Sequence, residues 1–262
     1  MPDSLYIAAT GMQAQQMNVD TIANNLANAN TVAFKKGRIS FTDLMVQESA
    51  RVGTSGTDGA SDAGAAMIGN GVGISSSSKI FDTGGVTQTN SQWDVAIQGD
   101  GFFRVTLADG STAYTRGGTL KVNAEGQLTT DTGLALQPAI SVPANVGSIS
   151  IGADGTITAT VAGQTKASQL GQLQLTRFAN TSALSAQGDN LYVASEAAGA
   201  PTQGNPGADS LGSLQQGYLE GSNVKMVDEM VNLVIAQRAY EASSKIVQAS
   251  DEMMQMVNNL RR

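Results

Sequence analysis

Neither cysteine nor histidine occurs in this 262-residue chain. That excludes disulfides, thiolate nucleophiles and Cys/His zinc sites. With no imidazole there is no Ser-His or Cys-His triad. Charge is also scarce. Only 14% of residues are charged, against roughly 25% in an ordinary soluble domain. A net charge of −7 offers no basic face to displace counterions, so no nucleic-acid partner is expected. No lysine-rich run suits anionic lipid, and no stretch approaches the ~18 consecutive apolar residues of a membrane span. Direct membrane insertion is therefore not expected. The opening Met1-Pro2-Asp3-Ser4-Leu5-Tyr6-Ile7 lacks a basic region and a continuous apolar core, so a cleaved signal peptide is not expected either.

Apolar residues make up 41% of the chain, enough for a core, although aromatics are only 5%. Small uncharged polar residues fill the rest. Such a surface suits close contact between like subunits, and equally a plain secreted protein. The most informative pattern lies at the two ends. Leu5, Ala8, Met12, Gln15, Val19, Ile22 and Leu26 follow one another at alternating steps of three and four. Ile235, Ala239, Ala242, Ile246, Ala249, Met253, Met256 and Leu260 do likewise. This is the spacing of a coiled-coil seam.

The first helix is expected from Pro2 to about Asn30, capped by Asp3 or Ser4. Gly11 inside it costs about 1 kcal/mol relative to alanine, so the helix is marginal and needs partners. Residues 49–78 are rich in Gly, Ser, Ala, Thr and Asp and read as a linker. From Lys79 to about Val193 the period falls to two. Strands are expected at Val95–Ile97, Phe102–Val105, Leu120–Val122, Ile149–Ile151 and Leu173–Leu175. Turn signals stand at Asp109-Gly110, Glu125-Gly126, Asp154-Gly155 and Ala162-Gly163. Short antiparallel strands at this spacing indicate a sandwich or barrel-like domain. Residues 196–213 read as loop, and Ser222-Asn223 as the cap of a helix running to Leu260.

The fold class is therefore α+β: a discontinuous terminal-helix coiled-coil module (1–33 and 224–262) with an inserted, mainly antiparallel β domain (79–195). Connecting regions are expected at 34–78 and 196–223. The bland alternative packs the two helices as a hairpin on the β domain. Against it, Met226, Met230, Leu233, Val234, Val247, Met254 and Val257 make the second helix apolar on more than one side, which calls for more than one neighbour. Gln15 and Gln16 interrupt the first seam; Gln15 and the asparagine cluster are candidate register pins. Asn24, Asn25, Asn28 and Asn30 either hydrogen-bond across an interface or end the helix. Gly99-Asp100-Gly101 and Gly69-Asn70-Gly71-Val72-Gly73 precede no expected helix, so they read as turns rather than phosphate cradles. Asp100, Asp109, Asp131 and Asp154 are explained by turn chemistry without catalysis. No catalytic, cofactor or metal residue is nominated.

The residues just read resemble the rod and hook family of flagellar axial proteins. The resemblance rests on Asn24-Asn25-Leu26-Ala27-Asn28-Ala29-Asn30-Thr31-Val32-Ala33-Phe34-Lys35 and on Gln237-Arg238-Ala239-Tyr240-Glu241-Ala242 with Ser244-Lys245. In the middle it rests on Asp94-Val95-Ala96-Ile97, Gly99-Asp100-Gly101-Phe102-Phe103 and Ala113-Tyr114-Thr115-Arg116. Ser4 to Ala8 and Gln13 to Gln16 look like the distal-rod branch. The family commonly has glycine before the Phe-Lys pair, where this chain has Ala33. A glycine serving a positive φ would leave alanine strained, whereas one serving close packing would not.

The resemblance implies a structural subunit without cofactor, exported uncleaved and polymerised helically around an export channel in the periplasm-spanning rod. Its terminal helices would be disordered in the monomer and pair on assembly. Implied partners are further copies of itself, proximal rod subunits, the hook protein, the surrounding ring (bushing) proteins and the type III export apparatus. The implied assembly interface comprises Leu5, Met12, Gln15, Val19, Ile22, Asn24, Asn25, Leu26, Asn28 and Phe34. From the C-terminal helix it takes Ile235, Ala239, Tyr240, Ala242, Ile246, Ala249, Met253, Met256 and Leu260. A proximal rod or hook subunit, a trimeric secreted adhesin and a cell-wall hydrolase with two facing carboxylates remain alternatives.

Overall fold

The computed structural model describes residues 2–47, 67–143, 145–161, 167–208 and 210–260. Two helices enclose a long run of strands, an α+β arrangement. In chain order these are α1 (Pro2–Ala27), β1 (Gly37–Gln47), β2 (Met67–Lys79), β3 (Val86–Gln88), β4 (Val95–Gln98), β5 (Phe102–Thr106) and β6 (Thr112–Thr115). Then come β7 (Leu120–Val122), β8 (Leu128–Thr130), β9 (Ala135–Gln137), β10 (Val146–Ile151), β11 (Thr156–Val161) and β12 (Ala167–Gln172). The chain finishes with β13 (Leu175–Arg177), β14 (Leu184–Gly188), β15 (Leu191–Ala194), β16 (Thr202–Gly204), β17 (Ser213–Gln216), β18 (Tyr218–Glu220) and α2 (Met226–Leu260). The chain divides into two compact units. One holds residues 1–26, 37–78 and 226–262, and the other 27–36 and 79–225.

In the helical unit α1 and α2 touch along a narrow line. Asn25 Nδ2 donates to Glu229 Oε2 at 3.3 Å. A Cβ built on Gly11 would lie 3.7 Å from Ser243 Oγ. Each helix places its two contact residues two heptads apart, and in opposite order, so the helices run antiparallel. The α2 face in this contact repeats every seven residues: Glu229, Ala236, Ser243 and Ser250. Three of these are buried and Ser243 is half-buried. Small side chains let the two backbones approach closely. The helices thus have partners within their own chain, contrary to the expectation of marginal, unpartnered ends. Leu233 and Val247, both half-buried, lie on the same side of α2, four residues after Glu229 and Ser243, so the stripe mixes small and large residues.

Three boundaries also differ from expectation. Residues 67–79 of the expected linker form β2, which pairs with β1; residues 48–66 lie outside the described residues. Gly71 has φ +105°, and a Cβ there would run into Thr10 Oγ1 of α1, so glycine lets this ribbon lie against the helix. α1 ends at Ala27, and Asn28 accepts a hydrogen bond from Thr31 Oγ1 at 3.1 Å. α2 begins at Met226 because Asn223 is engaged elsewhere. It accepts from Lys36 N at 2.7 Å and donates to Ile80 O at 2.8 Å.

The sheet unit is antiparallel in every strand pair whose register is defined. Its largest sheet runs β14-β15-β6-β5-β9-β8-β7, with β13 and β16 branching from β5. Alternation along β5 supplies two cores. Phe103 and Val105 join Val95, Ile97, Leu120, Leu136, Ile151 and Ile157 in the main one. Phe102 turns the other way into an aromatic cluster with Tyr114, Phe178 and Tyr192. Edge-on ring contacts there include Tyr114–Phe178 at 4.7 Å between centroids. The strand expected at 173–175 lies two residues later. The region read as loop contributes β16, which pairs with β13, and β17 begins at its end and pairs with β4. The turns at Gly110, Gly126 and Gly155 all have positive φ, whereas Ala162-Gly163 falls outside the described residues.

Ala33 also has positive φ, +57°, and is fully buried. Its N–H donates to Glu220 O at 2.8 Å, which fixes the conformation. The alanine is therefore strained. Ala33→Gly is expected to stabilise the fold by about 1 kcal/mol and raise the calorimetric melting temperature by about 3 °C. A fall would show that the methyl group's packing outweighs its strain. Gly11→Ala should also stabilise by about 1 kcal/mol, because its Cβ meets Ser243 at ordinary contact distance. Gly11→Leu should instead cost about 2 kcal/mol by prising α1 from α2. Equal stability of both variants in urea unfolding would refute the close helix contact.

Candidate functional site: an exposed seam and a buried anchor

α2 is 35 residues long, about 50 Å. Its sides differ sharply. The small-residue stripe faces α1. About a quarter turn away, at 3.6 residues per turn, lies the heptad seam. There Ile235 is 61% exposed, Ile246 54% and Leu260 87%. Ala242, Ala249, Met253 and Met256 are exposed as well, and Ala239 is half-buried. Further round, Arg238, Glu241, Lys245 and Glu252 form a charged side. Val227, Val231 and Val234 add exposed apolar area near the start of α2, and Tyr240 is exposed at mid-helix. A 35-residue helix with this much uncovered apolar surface is unlike an ordinary surface helix, which hides its apolar stripe.

The nominated residues of the first 34 positions divide differently. Leu5, Met12, Gln15, Val19 and Leu26 are half-buried, and Asn24 is exposed. Ile22, Asn25 and Phe34 are buried inside the subunit. Asn25 accepts from Gly37 N at 2.8 Å and donates to Gly37 O at 2.9 Å, which ties the end of α1 to the start of β1. Phe34 lies under Lys79, whose Nζ is 4.5 Å from the ring centroid. The same chemistry that suggested interface residues, amide and aromatic, is used here to fix the turn after α1.

Sequence reasoning missed a buried ionic cluster in the sheet unit. Glu220 Oε1 receives Lys35 Nζ at 2.6 Å, and its Oε2 receives Arg116 Nε at 2.8 Å. All three side chains are at most 2% exposed. Gly84 N adds a bond to Glu220 Oε1 at 3.0 Å. The remaining donors go to carbonyls. Arg116 reaches Gly101 O at 2.9 Å and Gly99 O at 3.0 Å, and Lys35 reaches Asp82 O at 2.6 Å. Burial pushes the Glu220 carboxyl up, but Arg116 and Lys35 together outweigh it and hold the group below its ordinary 4.5. Burial pushes the Lys35 ammonium down, and a carboxylate shared with Arg116 does not fully restore it. One acid serving two cations explains why the shifts of the two partners are not symmetrical. The available signal was two basic residues, Lys35 and Arg116, inside apolar motifs of a chain with few charges.

The aspartates behave as turn residues. Asp109 accepts from Ser111 N at 2.8 Å and Ser111 Oγ at 2.6 Å, and Asp154 takes Thr156 in the same way. Hydrogen bonds from Ser111 and Thr156 hold these two carboxyls below their ordinary range. Asp131 pairs with Lys121 on the surface. A groove of about 510 Å³ beside Trp93 is faced by one carboxylate, Glu125, where glycoside hydrolysis needs two. Among the described residues no cluster of three or more His, Cys, Asp or Glu could hold a metal ion. No described helix is long and apolar enough to cross a membrane.

The anchor has a pH signature. Unfolded, Glu220 takes up its proton near its ordinary 4.5; folded, it does so at lower pH. Its stabilising contribution is complete above the unfolded value and is lost as pH falls through the folded one. Urea midpoints should therefore drop on acidification below about pH 4.5. Glu220→Gln should remove about 3 kcal/mol at pH 7 and flatten that acid limb. An unchanged acid limb in the variant would assign the pH dependence to other groups.

Three family models match the chain. "Flagella basal body rod protein" covers residues 5–35, "Flagellar hook protein FlgE/F/G D1 domain" residues 96–159, and "Flagellar basal body rod FlgEFG protein C-terminal" residues 215–260. The chain is 43% identical over 260 residues to the flagellar basal-body rod protein FlgG of Buchnera aphidicola subsp. Schizaphis graminum, covering 99% of this chain and 100% of that one. It is 42% identical over 259 residues to FlgG of Caulobacter vibrioides, with 98% and 99% covered. Against the rod protein FlgF of that same organism identity falls to 32% over 257 residues, with 97% and 95% covered. Terminal helices, sheet unit and buried anchor all fall within these alignments, and the chain belongs to the flagellar basal-body rod protein family.

Proposed function

We propose that this chain is a distal-rod subunit that polymerises helically, through the exposed seam of α2, into a rigid hollow shaft. That shaft would transmit torque and surround the export channel. The observation that carries the reading is the seam itself: large apolar side chains at heptad spacing, exposed on a helix whose inner face is already occupied by α1. Burying one such side chain in a neighbouring subunit is worth about 2 kcal/mol. A seam that meets a different surface of the next copy makes a heterologous contact, which propagates into a helix rather than closing. The β1–β2 ribbon exposes Phe41, Leu44, Met45 and Ile74, and a two-stranded ribbon is marginal alone. Neighbouring copies would cover it and stiffen the shaft.

In this reading the role is mechanical and needs neither catalysis nor a cofactor. The partners are further copies of the chain, proximal rod subunits, the hook protein, ring proteins around the rod, and the type III export apparatus that delivers the subunit without cleaving a signal peptide. The higher identity to FlgG than to FlgF in one organism favours the distal over another axial position. Ile246→Asp places a charge on the seam, away from the α1 contact. It is expected to abolish polymerisation, read by sedimentation and electron microscopy, with the thermal transition of the sheet unit unchanged. Tubes of normal length from the variant would sink the seam reading.

A further inference from the structure

Methionine is distributed very unevenly. All ten methionines lie in the helical unit, and the sheet unit, which holds more than half of the chain, has none. With cysteine absent, thioethers are the only sulfur in the molecule. Three of them gather near the end of α2. Met253 is 44% exposed, Met254 41% and Met256 58%, and Met253 and Met256 stand on the seam itself. Met12, on α1, is half-buried and serves as an internal reference. Exposed thioethers accept an oxygen atom readily, and the product is polar.

We propose that Met253, Met254 and Met256 form a reversible sulfoxidation site for small peroxides, and that modification there switches off self-association. The inference rests on the α2 seam being the assembly surface. In the step a sulfur lone pair attacks one oxygen of hydrogen peroxide. The O–O bond breaks, an S–O bond forms and water leaves; sulfur loses two electrons and the peroxide gains them. A dithiol-dependent methionine sulfoxide reductase reverses the change, releasing water and leaving its own thiols as a disulfide. Sulfoxides at Met253 and Met256 would bring polar groups into the apolar seam contact, with a third beside it at Met254. The sheet unit, free of sulfur, would be untouched. Subunits already assembled would be protected because the seam is covered.

The test is to treat the full-length chain with hydrogen peroxide, map sulfoxides by peptide mass spectrometry, and measure the critical concentration for polymerisation. Met253, Met254 and Met256 should oxidise several-fold faster than Met12. The critical concentration should rise roughly tenfold, and the reductase should restore it. In a Met253→Leu/Met254→Leu/Met256→Leu chain the critical concentration, whatever its untreated value, should be the same before and after peroxide. Oxidation of Met12 at the same rate, unchanged polymerisation of the oxidised chain, or equal loss in the triple variant would each overturn the proposal. If the untreated chain fails to polymerise, the seam reading falls, and the relative oxidation rates alone then decide whether the site exists.

Discussion

One carboxylate organises this subunit. The chain passes between its two units four times, near residues 26, 36, 78 and 225. Three of those passages have their roots in the sheet unit at Lys36, Lys79 and Lys225. Glu220 joins Lys35, beside the first root, to Arg116 in the sheet. Lys35 also holds Asp82 O, beside the second. Asn223 then knits Lys36 to Ile80. A buried ion pair is weak evidence for stability, because desolvation offsets most of the attraction. Its asymmetry matters more: with Glu220 paired to both cations, a misplaced strand would leave a buried charge unpaired. The cluster therefore selects one arrangement of these segments within the sheet unit. It also holds Ala33 in its strained turn through the Glu220 carbonyl.

The helical unit uses a different economy. α1 and α2 meet along a side of α2 where Ala236, Ser243 and Ser250 alternate with Leu233 and Val247, and most of the large apolar surface of α2 lies elsewhere. That surface stays outside, a quarter turn away, and the charged residues stand beyond it. The division is a matter of side-chain size. Had the large residues faced α1, the pair would be more stable alone and would have little left to offer a neighbour.

Much of this was legible from spacing. The two seams, the α+β class and the strands around Val95, Phe102 and Leu120 follow from periods of 3.5 and 2. What escaped notice has identifiable causes. Glu229, Ala236, Ser243 and Ser250 carry no hydrophobic signal of their own; Leu233 and Val247 beside them read only as apolar area beyond the main seam, so the α1 contact did not stand out. β2 reads Gly-Asn-Gly-Val-Gly and then four serines, a composition that belongs to linkers; only its pairing with β1 makes it a strand. Asn25 and Phe34 sit in a motif that suggested subunit contacts, yet their partners, Gly37 and Lys79, are in the same chain. Lys35 and Arg116 were in view from the start. Their common partner is more than a hundred residues away in Glu220, and periodicity carries no information at that range.

The absence of native cysteine makes the central claim directly measurable. Single cysteines at three α2 positions, Ala236→Cys, Lys245→Cys and Ile246→Cys, would be challenged with a maleimide before and after polymerisation. The account predicts that position 246 reacts in the monomer and is protected in the polymer. Position 245 should react in both states and position 236 in neither. Continued reactivity at position 246 in the polymer would show that subunits do not meet through this seam.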